Sequence, residues 1–194
     1  MAGTWVSCIS VPPGWVTTRR PGSSRSSCRS RPKHMNLYLR MLWVMLSSLW
    51  KPEMRVDALT STLEQRVLPN DLDLNLHMNN GRFLTVCDLS RVDLFIRTGL
   101  LALMLKQKWA PIIVRHTMDY KKPLRPFQKY TVSMSITRWD EKYFYATHQF
   151  LSRGKVVAEG ESTAVLLGRE GVVPPEKVIE AVTARQNRTA VESH

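Results

Sequence analysis

The sequence predicts an α+β domain, in which one buried helix packs on a single antiparallel sheet. Residues 80–98 would be apolar on most sides of a helix, which is typical of a buried one. Segments with the two-residue period of β-strands follow at short intervals. The last two are separated only by residues 152–154, a turn that makes them antiparallel neighbours. A helix covering one face of such a sheet buries the apolar surface of both.

The elements that precede the sheet are marked by local signals. Residues 60–68 are a plausible first strand. Asn79 or Asn80 can cap the long helix, because a short polar side chain accepts a hydrogen bond from the N–H groups of a first turn. We expect the helix to end near Thr98, since Gly99 suits the left-handed conformation that ends many helices.

Four strands and a closing helix are predicted after the long helix. Gly160, within the last strand, predicts a bulge or a bend. Pro174 and Pro175 should open the closing helix, which we expect to end near residue 185. The first of these strands should turn one face inward through four alternating residues, Ile112, Val114, His116 and Met118. The predicted strands are residues 111–120, 130–137, 143–151 and 155–167.

The domain, expected over residues 57–185, lies between less regular segments. Residues 1–34 are rich in Ser, Arg, Pro and Gly without a sustained period, so we expect disorder there. Either they are a mitochondrial transit peptide, or they are an over-extended reading frame before a true start at Met35. Four prolines favour the second explanation, because they would break a targeting helix. Residues 186–194 are expected to be a flexible tail.

Residues 35–56 are predicted to be an apolar helical segment. Twelve of the sixteen residues in 35–50 are apolar. A helix of that length spans about 24 Å, short of a hydrocarbon core of roughly 30 Å, and it contains Arg40, so we do not expect it to cross a membrane. A helix packed on its own domain or on a dimer partner and a helix lying at a membrane surface both remain open.

Composition limits the class of protein without selecting a function. With 43% hydrophobic and 23% charged residues, the chain has the composition of a globular protein. Its net charge is +12, and residues 1–34 contribute six of those charges. The remaining basic excess fits an anionic ligand or membrane surface, but the chain has no nucleic-acid reader motif, so we do not expect nucleic acid as a partner. Cys87 is the single cysteine after residue 34, which favours a reducing compartment such as the cytoplasm.

Residues 71–80, DLDLNLHMNN, are the densest polar segment of the chain and lie in the loop before the buried helix. Extended to DLDLNLHMNNGRFL, the segment is similar to the signature of the 4-hydroxybenzoyl-CoA thioesterase-like family, D-x-D-x-x-x-H-[MV]-N-N-x-x-[YF]. The order of elements over residues 60–167 also resembles that family. The resemblance implies a hot-dog fold, in which a curved antiparallel sheet wraps one central helix, and it implies acyl-CoA thioesterase activity.

The resemblance also implies roles for the residues of this loop. It puts the catalytic carboxylate on Asp73, which would attack the thioester or activate water; the alternative is that Asp73 stabilises the loop or a turn within it. An ordinary aspartate is ionised at neutral pH and can do either. Asp71 could hold the loop by accepting backbone hydrogen bonds, and His77 could shape the loop, line the site or act as a base. Asn79 and Asn80 could cap the helix or orient the substrate.

The remaining candidate residues lie on the helix, on the strands and in one turn. Cys87 is expected to be a small buried core residue rather than a nucleophile. No ligand spacing joins His77, His116 and His148, so we expect no metal and no other cofactor. The basic turn between two strands is either solvated or contacts the phosphates of coenzyme A. Its candidate contact residues are Lys121, Lys122 and Arg125.

The function predicted from these observations is hydrolysis of an acyl-CoA-type thioester to a free acid and a thiol. The protein should be a homodimer or a dimer of dimers, with active sites at the protomer interface, as the resemblance implies. We expect it in the cytoplasm, with membrane contact possible through residues 35–50. The alternative is a hot-dog module that binds acyl chains or a partner protein without hydrolysis.

Overall fold

The computed structural model describes residues 35–192, so the predicted disorder of residues 1–34 concerns a segment outside the described residues. Within them the chain forms four α-helices and six strands. The helices are α1 (Met35–Leu49), α2 (Asn80–Arg97), α3 (Leu100–Gln107) and α4 (Pro175–Glu192). The strands are β1 (Thr60–Arg66), β2 (Ala110–Tyr120), β3 (Lys129–Trp139), β4 (Phe144–Ser152), β5 (Lys155–Gly168) and β6 (Gly171–Val173).

The strands form one antiparallel sheet in the order β1-β3-β4-β5-β2, and the short β6 pairs with the end of β5. Consecutive strands from β3 to β5 are neighbours, as the short turns between them predict. The curled sheet packs against α2, which is the hot-dog arrangement. The predicted α+β class and fold are therefore confirmed.

The main core lies between α2 and the sheet. On the helix, Phe83 and Leu89 are buried, and Phe83 contacts Phe150 of β4 edge-on with 5.0 Å between the ring centroids. The helix begins as predicted, but Asn79 rather than Asn80 is its cap. The Oδ1 atom of Asn79 accepts a 2.8 Å hydrogen bond from the backbone N–H of Gly81.

Helix α1 packs on the domain through one side only. Val44 and Ser48 are buried on that side. The Ser48 hydroxyl donates a 2.6 Å hydrogen bond to Asp93 of α2, and Lys51, just beyond α1, donates to the same carboxylate at 2.8 Å. Within residues 35–192, no helix combines the length and the apolar character needed to cross a lipid bilayer.

The predicted inward face of β2 is wrong at its first two positions. The pairing of β2 with β5 shifts register between Ile113 and Arg115, so Val114 lies at an irregularity. Val114 is 55% exposed and Ile112 is also exposed, whereas His116 and Met118 remain partly buried as expected. One extra residue in a strand reverses the side to which the residues before it point. Gly160 lies in regular pairing, so the bulge predicted there is absent from the ladder.

The chain also departs from the predicted elements in two places. Gly99 adopts a φ of +74° and ends α2 as expected, but a further helix, α3, begins directly after it. Helix α4 runs to Glu192, so residues 186–192 are helical rather than a flexible tail. Gln186 stabilises this extension, because its Nε2 atom donates a 2.8 Å hydrogen bond to the carbonyl oxygen of Met54.

Candidate active site

The polar loop before α2 is organised around the buried carboxylate of Asp71. Its Oδ2 atom accepts hydrogen bonds from the Leu68 N–H at 2.9 Å and from Arg40 Nη2 at 2.8 Å. Its carbonyl oxygen accepts a 2.8 Å bond from the N–H of Asn79, which joins the two ends of the loop. The Arg82 Nε atom lies 3.8 Å from Oδ1. Asp71 therefore makes contacts that shape the loop, and its two cations come from α1 and α2.

Asp73 lies in a tight turn inside this loop. Its Oδ1 atom accepts hydrogen bonds from the N–H groups of Asn75 at 2.8 Å and His77 at 3.2 Å. Its own N–H donates to the carbonyl oxygen of His77 at 2.8 Å. The side chain is half-buried, and Oδ2 has no hydrogen-bond partner among the described residues. One carboxylate oxygen is thus fixed by the turn, while the other is available to a ligand.

The other predicted site residues lie around this turn. His77 is half-buried, and its backbone binds Asp73 through both polar groups. Asn79 is the helix cap. Asn80 is exposed at the first position of α2, where its carbonyl oxygen accepts a 3.0 Å hydrogen bond from the Tyr120 hydroxyl.

The basic turn after β2 lies against the polar loop. The N–H of Met78 donates a 2.9 Å hydrogen bond to the carbonyl oxygen of Leu124, within the turn. Lys121, Lys122 and Arg125 are all exposed there, and Lys121 forms a 2.5 Å ion pair with Glu159. The structure therefore brings the predicted phosphate contacts into the same region as the loop that carries Asp73, although they lie far from it in sequence.

Two leucines in the loop are exposed beside Asp73. Leu74 is fully exposed, and Leu76 is mostly exposed with a φ of +58°. A left-handed conformation costs a non-glycine residue about 1–2 kcal/mol. Exposed leucine side chains are ordinary singly, but these two lie one and three positions after Asp73 in the same loop. Sequence reasoning did not single out either residue.

A cluster of Cys87, His116 and His148 lies apart from this loop. One ligand atom of each lies within 4.8 Å of the others, and the two imidazole rings are 5.0 Å apart. Burial raises the pKa of the Cys87 thiol to about 12, which fits the predicted core residue rather than a nucleophile. Burial likewise lowers the pKa of His148 to about 3, so that imidazole is neutral at pH 7.

Arg91 fixes the position of the ring proton on His116 and adds a positive charge to this cluster. Its Nη2 atom lies 3.4 Å from Nδ1 of His116, and because arginine only donates hydrogen bonds, that nitrogen must accept. The ring proton of neutral His116 then resides on Nε2, the nitrogen that has no partner among the described residues. The guanidinium also adds a positive charge where a cation would have to lie. The arrangement is a buried polar cluster that opposes metal binding.

The family assignment follows from comparison with known proteins. The Thioesterase-like superfamily matches residues 67–182, a segment that includes the polar loop, α2 and the whole sheet after β1. The chain therefore belongs to the Thioesterase-like superfamily, and the family predicted from the loop motif is confirmed. Membership supports thioester hydrolysis as the general class of reaction.

Curated relatives that resemble this chain come from eukaryotes. The chain is 30% identical over 151 residues to "Protein THEM6" of Danio rerio, covering 77% of this chain and 73% of that protein. It is 31% identical over 119 residues to "Probable thioesterase YBR096W" of Saccharomyces cerevisiae. That match covers 59% of this chain and 51% of the yeast protein, so the chain spans about half the length of that relative.

Solved structures with the same fold have lower sequence identity. The probable thioesterase YbaW from Escherichia coli has a TM-score of 0.59 at 19% identity, covering 63% of this chain and 95% of that one. Slr0204, a 1,4-dihydroxy-2-naphthoyl-CoA thioesterase from Synechocystis, has a TM-score of 0.57 at 16% identity, covering 64% and 96%. At these identities the likeness establishes the hot-dog fold alone.

Proposed function

We propose that the protein hydrolyses acyl-CoA thioesters and that Asp73 is the catalytic carboxylate. The observation that carries the proposal is the turn in which Oδ1 of Asp73 accepts two backbone hydrogen bonds while Oδ2 stays open. A carboxylate held in this way needs little further ordering before it attacks a thioester carbonyl or takes a proton from water. Family membership supports the reaction class independently of this geometry.

The thiol carrier is proposed to be coenzyme A. The basic turn, with exposed Lys122 and Arg125, is tied to the Asp73 loop by the hydrogen bond between Met78 and Leu124. Lys and Arg give phosphates charge-assisted hydrogen bonds, which are about twice as strong as neutral ones. Two solved relatives of the same fold have coenzyme A thioesters named as their substrates.

We also propose that the protein forms a side-by-side homodimer through β2. This strand lies at the edge of the sheet over eleven residues and exposes Ile112 and Val114. A long edge strand with exposed apolar side chains is prone to pair with another chain unless something covers it. The exposed leucines beside Asp73 would then complete the acyl site against the partner protomer. Light scattering should report a dimer, and Val114→Arg should shift it toward monomer.

A third part of the proposal concerns α1, which we place in contact with a membrane surface. Its outer side exposes Trp43, at 70% of its possible area, and Trp50 directly after the helix is 83% exposed. Tryptophan is enriched where proteins meet the boundary between water and lipid.

The catalytic proposal is tested by Asp73→Asn in an acyl-CoA hydrolysis panel. The amide oxygen of asparagine can still accept the bonds from Asn75 and His77, so the turn keeps its shape while the charge is lost. We expect kcat to fall at least about a hundredfold with an unchanged unfolding midpoint. Glu170→Gln, which removes an exposed carboxylate between β5 and β6, is the control and should retain activity.

Two outcomes would count against the proposal. Turnover retained by Asp73→Asn would remove Asp73 from the mechanism. Tight acyl-CoA binding by the parent protein, with no turnover at any chain length, would favour the non-catalytic acyl-binding module instead.

A further inference from the structure

The outer side of α1 is the largest exposed apolar surface that the described helices present. The helix buries Val44 and Ser48 against the domain, and its opposite side has no partner among the described residues. Contiguous apolar surface of this kind marks a contact with protein or membrane. Its large exposed side chains are Tyr38, Leu39, Leu42, Trp43, Met45, Leu46, Leu49 and Trp50.

The domain holds this surface in a fixed orientation. Ser48 of α1 donates a hydrogen bond to Asp93 of α2 at 2.6 Å. Nearer the start of the helix, Arg40 donates to the Arg66 carbonyl oxygen at 2.7 Å and to Asp71 at 2.8 Å. With both halves of α1 bound to the domain, the apolar side chains present one continuous face.

A groove lined by four cations and one carboxylate, Glu64, lies beside this face. It has a volume of about 610 Å³, and Trp43 forms part of its wall. Arg66, Lys129 and Arg153 line the same groove, and none of them forms an ion pair with another described residue. Arg66 and Lys129 are directly opposite each other across β1 and β3. Like charges at such a position repel each other, and an anion in the groove would relieve the repulsion.

We propose that α1 and this groove together dock the protein on an anionic phospholipid surface. The aromatic and leucine side chains would enter the lipid interface, and the three cations would bind lipid phosphates. A second copy of the chain fits less well, because a twofold interface through this face would set the same cations against each other. The inference rests on the membrane contact proposed above and adds its lipid chemistry; it does not depend on hydrolysis.

The test is flotation of the full chain with two kinds of vesicle, pure phosphatidylcholine and an equal mixture with phosphatidylglycerol. We expect flotation with the anionic vesicles and a loss of binding at high salt. One charge near an anionic surface changes affinity about fivefold, so the triple change Arg66→Gln, Lys129→Gln and Arg153→Gln should weaken binding on the order of a hundredfold. Trp43→Ser with Trp50→Ser should weaken binding to both vesicles.

Matched controls separate this surface from general charge and apolarity. Leu105→Ser removes an exposed leucine from α3, and Lys106→Gln with Arg169→Gln and Lys177→Gln removes three exposed cations that do not line the groove. The factor of about five applies only to a charge close to the lipid surface. Neither control removes such a charge, so neither should change vesicle binding by more than about twofold. Circular dichroism and acyl-CoA hydrolysis of every variant report whether the domain is intact.

Each remaining outcome would overturn part of the inference. Equal binding to neutral and anionic vesicles would refute the anionic assignment and leave membrane contact standing. Failure to bind either vesicle would refute both, whatever the hydrolysis assay shows. If Trp43→Ser lowers the oligomeric mass in solution and the parent binds no lipid, the face belongs to a second copy.

Discussion

Replacing Asp93 with alanine should destabilise the protein by about 3 kcal/mol, at the lower end of the roughly 3–5 kcal/mol that follows when one partner of a buried ion pair is removed. Asp93 is fully buried and accepts hydrogen bonds from Ser48, Lys51, Ser61 and Arg97. Burial alone would raise its pKa, but the hydrogen bonds from Lys51 and the two serines outweigh burial and hold the pKa below its ordinary value. The folded state therefore contains a charged carboxylate that its partners need.

We expect a destabilisation at the lower end of that range because Ser48 and Lys51 can each make another interaction when Asp93 is removed. Ser48 can still donate to the Val44 carbonyl oxygen at 2.6 Å, and Lys51 is partly exposed and can turn to water. The hydroxyl of Ser61 is fully buried and loses its acceptor, which costs about 1–3 kcal/mol alone.

Urea unfolding followed by circular dichroism measures the effect of Asp93→Ala. With a slope near 2 kcal/mol per molar urea, the midpoint should fall by about 1.5 M. The control is Glu159→Ala, which removes the partner of Lys121 from an exposed ion pair and should cost less than about 1 kcal/mol. A loss for Asp93→Ala no larger than that of the control would refute the reasoning.

Three further predictions concern stability. Burial lowers the pKa of His148 to about 3, so the unfolded chain binds a proton at this residue before the folded chain does as pH falls. The free energy of unfolding should therefore decrease below about pH 6.5, by up to about 1.4 kcal/mol per pH unit. Urea titrations at pH 7.5 and pH 5 should show that His148→Gln makes the free energy of unfolding depend less on pH. In Gly160→Ala a Cβ atom would lie 2.2 Å from the carbonyl oxygen of Thr117, which is too close. The free energy of unfolding should fall by about 2 kcal/mol, and the urea midpoint should therefore fall by about 1 M or more. Leu76→Asn should raise the thermal midpoint by a few degrees, because asparagine tolerates a positive φ better than leucine, and an unchanged midpoint would mean that the turn stores no strain.

Local signals predicted most of the fold. The cap at Asn79, the left-handed Gly99 and the alternation in β3 each depend on residues within a few positions, and each is found where the sequence indicated. The irregularity at Val114 depends on how β2 pairs with Thr163 and Ala164 of β5, about fifty positions further along the chain, so the period of β2 alone could not reveal it. Helix α3 was missed because a glycine that ends one helix also allows another to begin.

In the candidate site, too, features that depend on nearby residues could be predicted from the sequence, whereas contacts between distant residues could not. The turn around Asp73 depends on local sequence, because its Oδ1 atom accepts hydrogen bonds from the backbone of Asn75 and His77, two and four positions further on. The ion pair between Arg40 and Asp71 joins residues 31 positions apart, and no local pattern indicates which cation a buried carboxylate will meet. The cluster around Cys87 escaped prediction for the same reason, since its members lie on a helix and two strands.

The contact between Arg40 and Asp71 has a practical consequence for anyone purifying this protein. Removing α1 would discard a surface rich in exposed tryptophan and leucine, which makes the shortened fragment attractive to produce. It would also leave the buried Asp71 carboxylate with Arg82 as its one remaining charged neighbour in the described chain, at 3.8 Å. A fragment without α1 would therefore lose the Arg40 contact that supports one side of the loop around Asp73, although the segment looks dispensable.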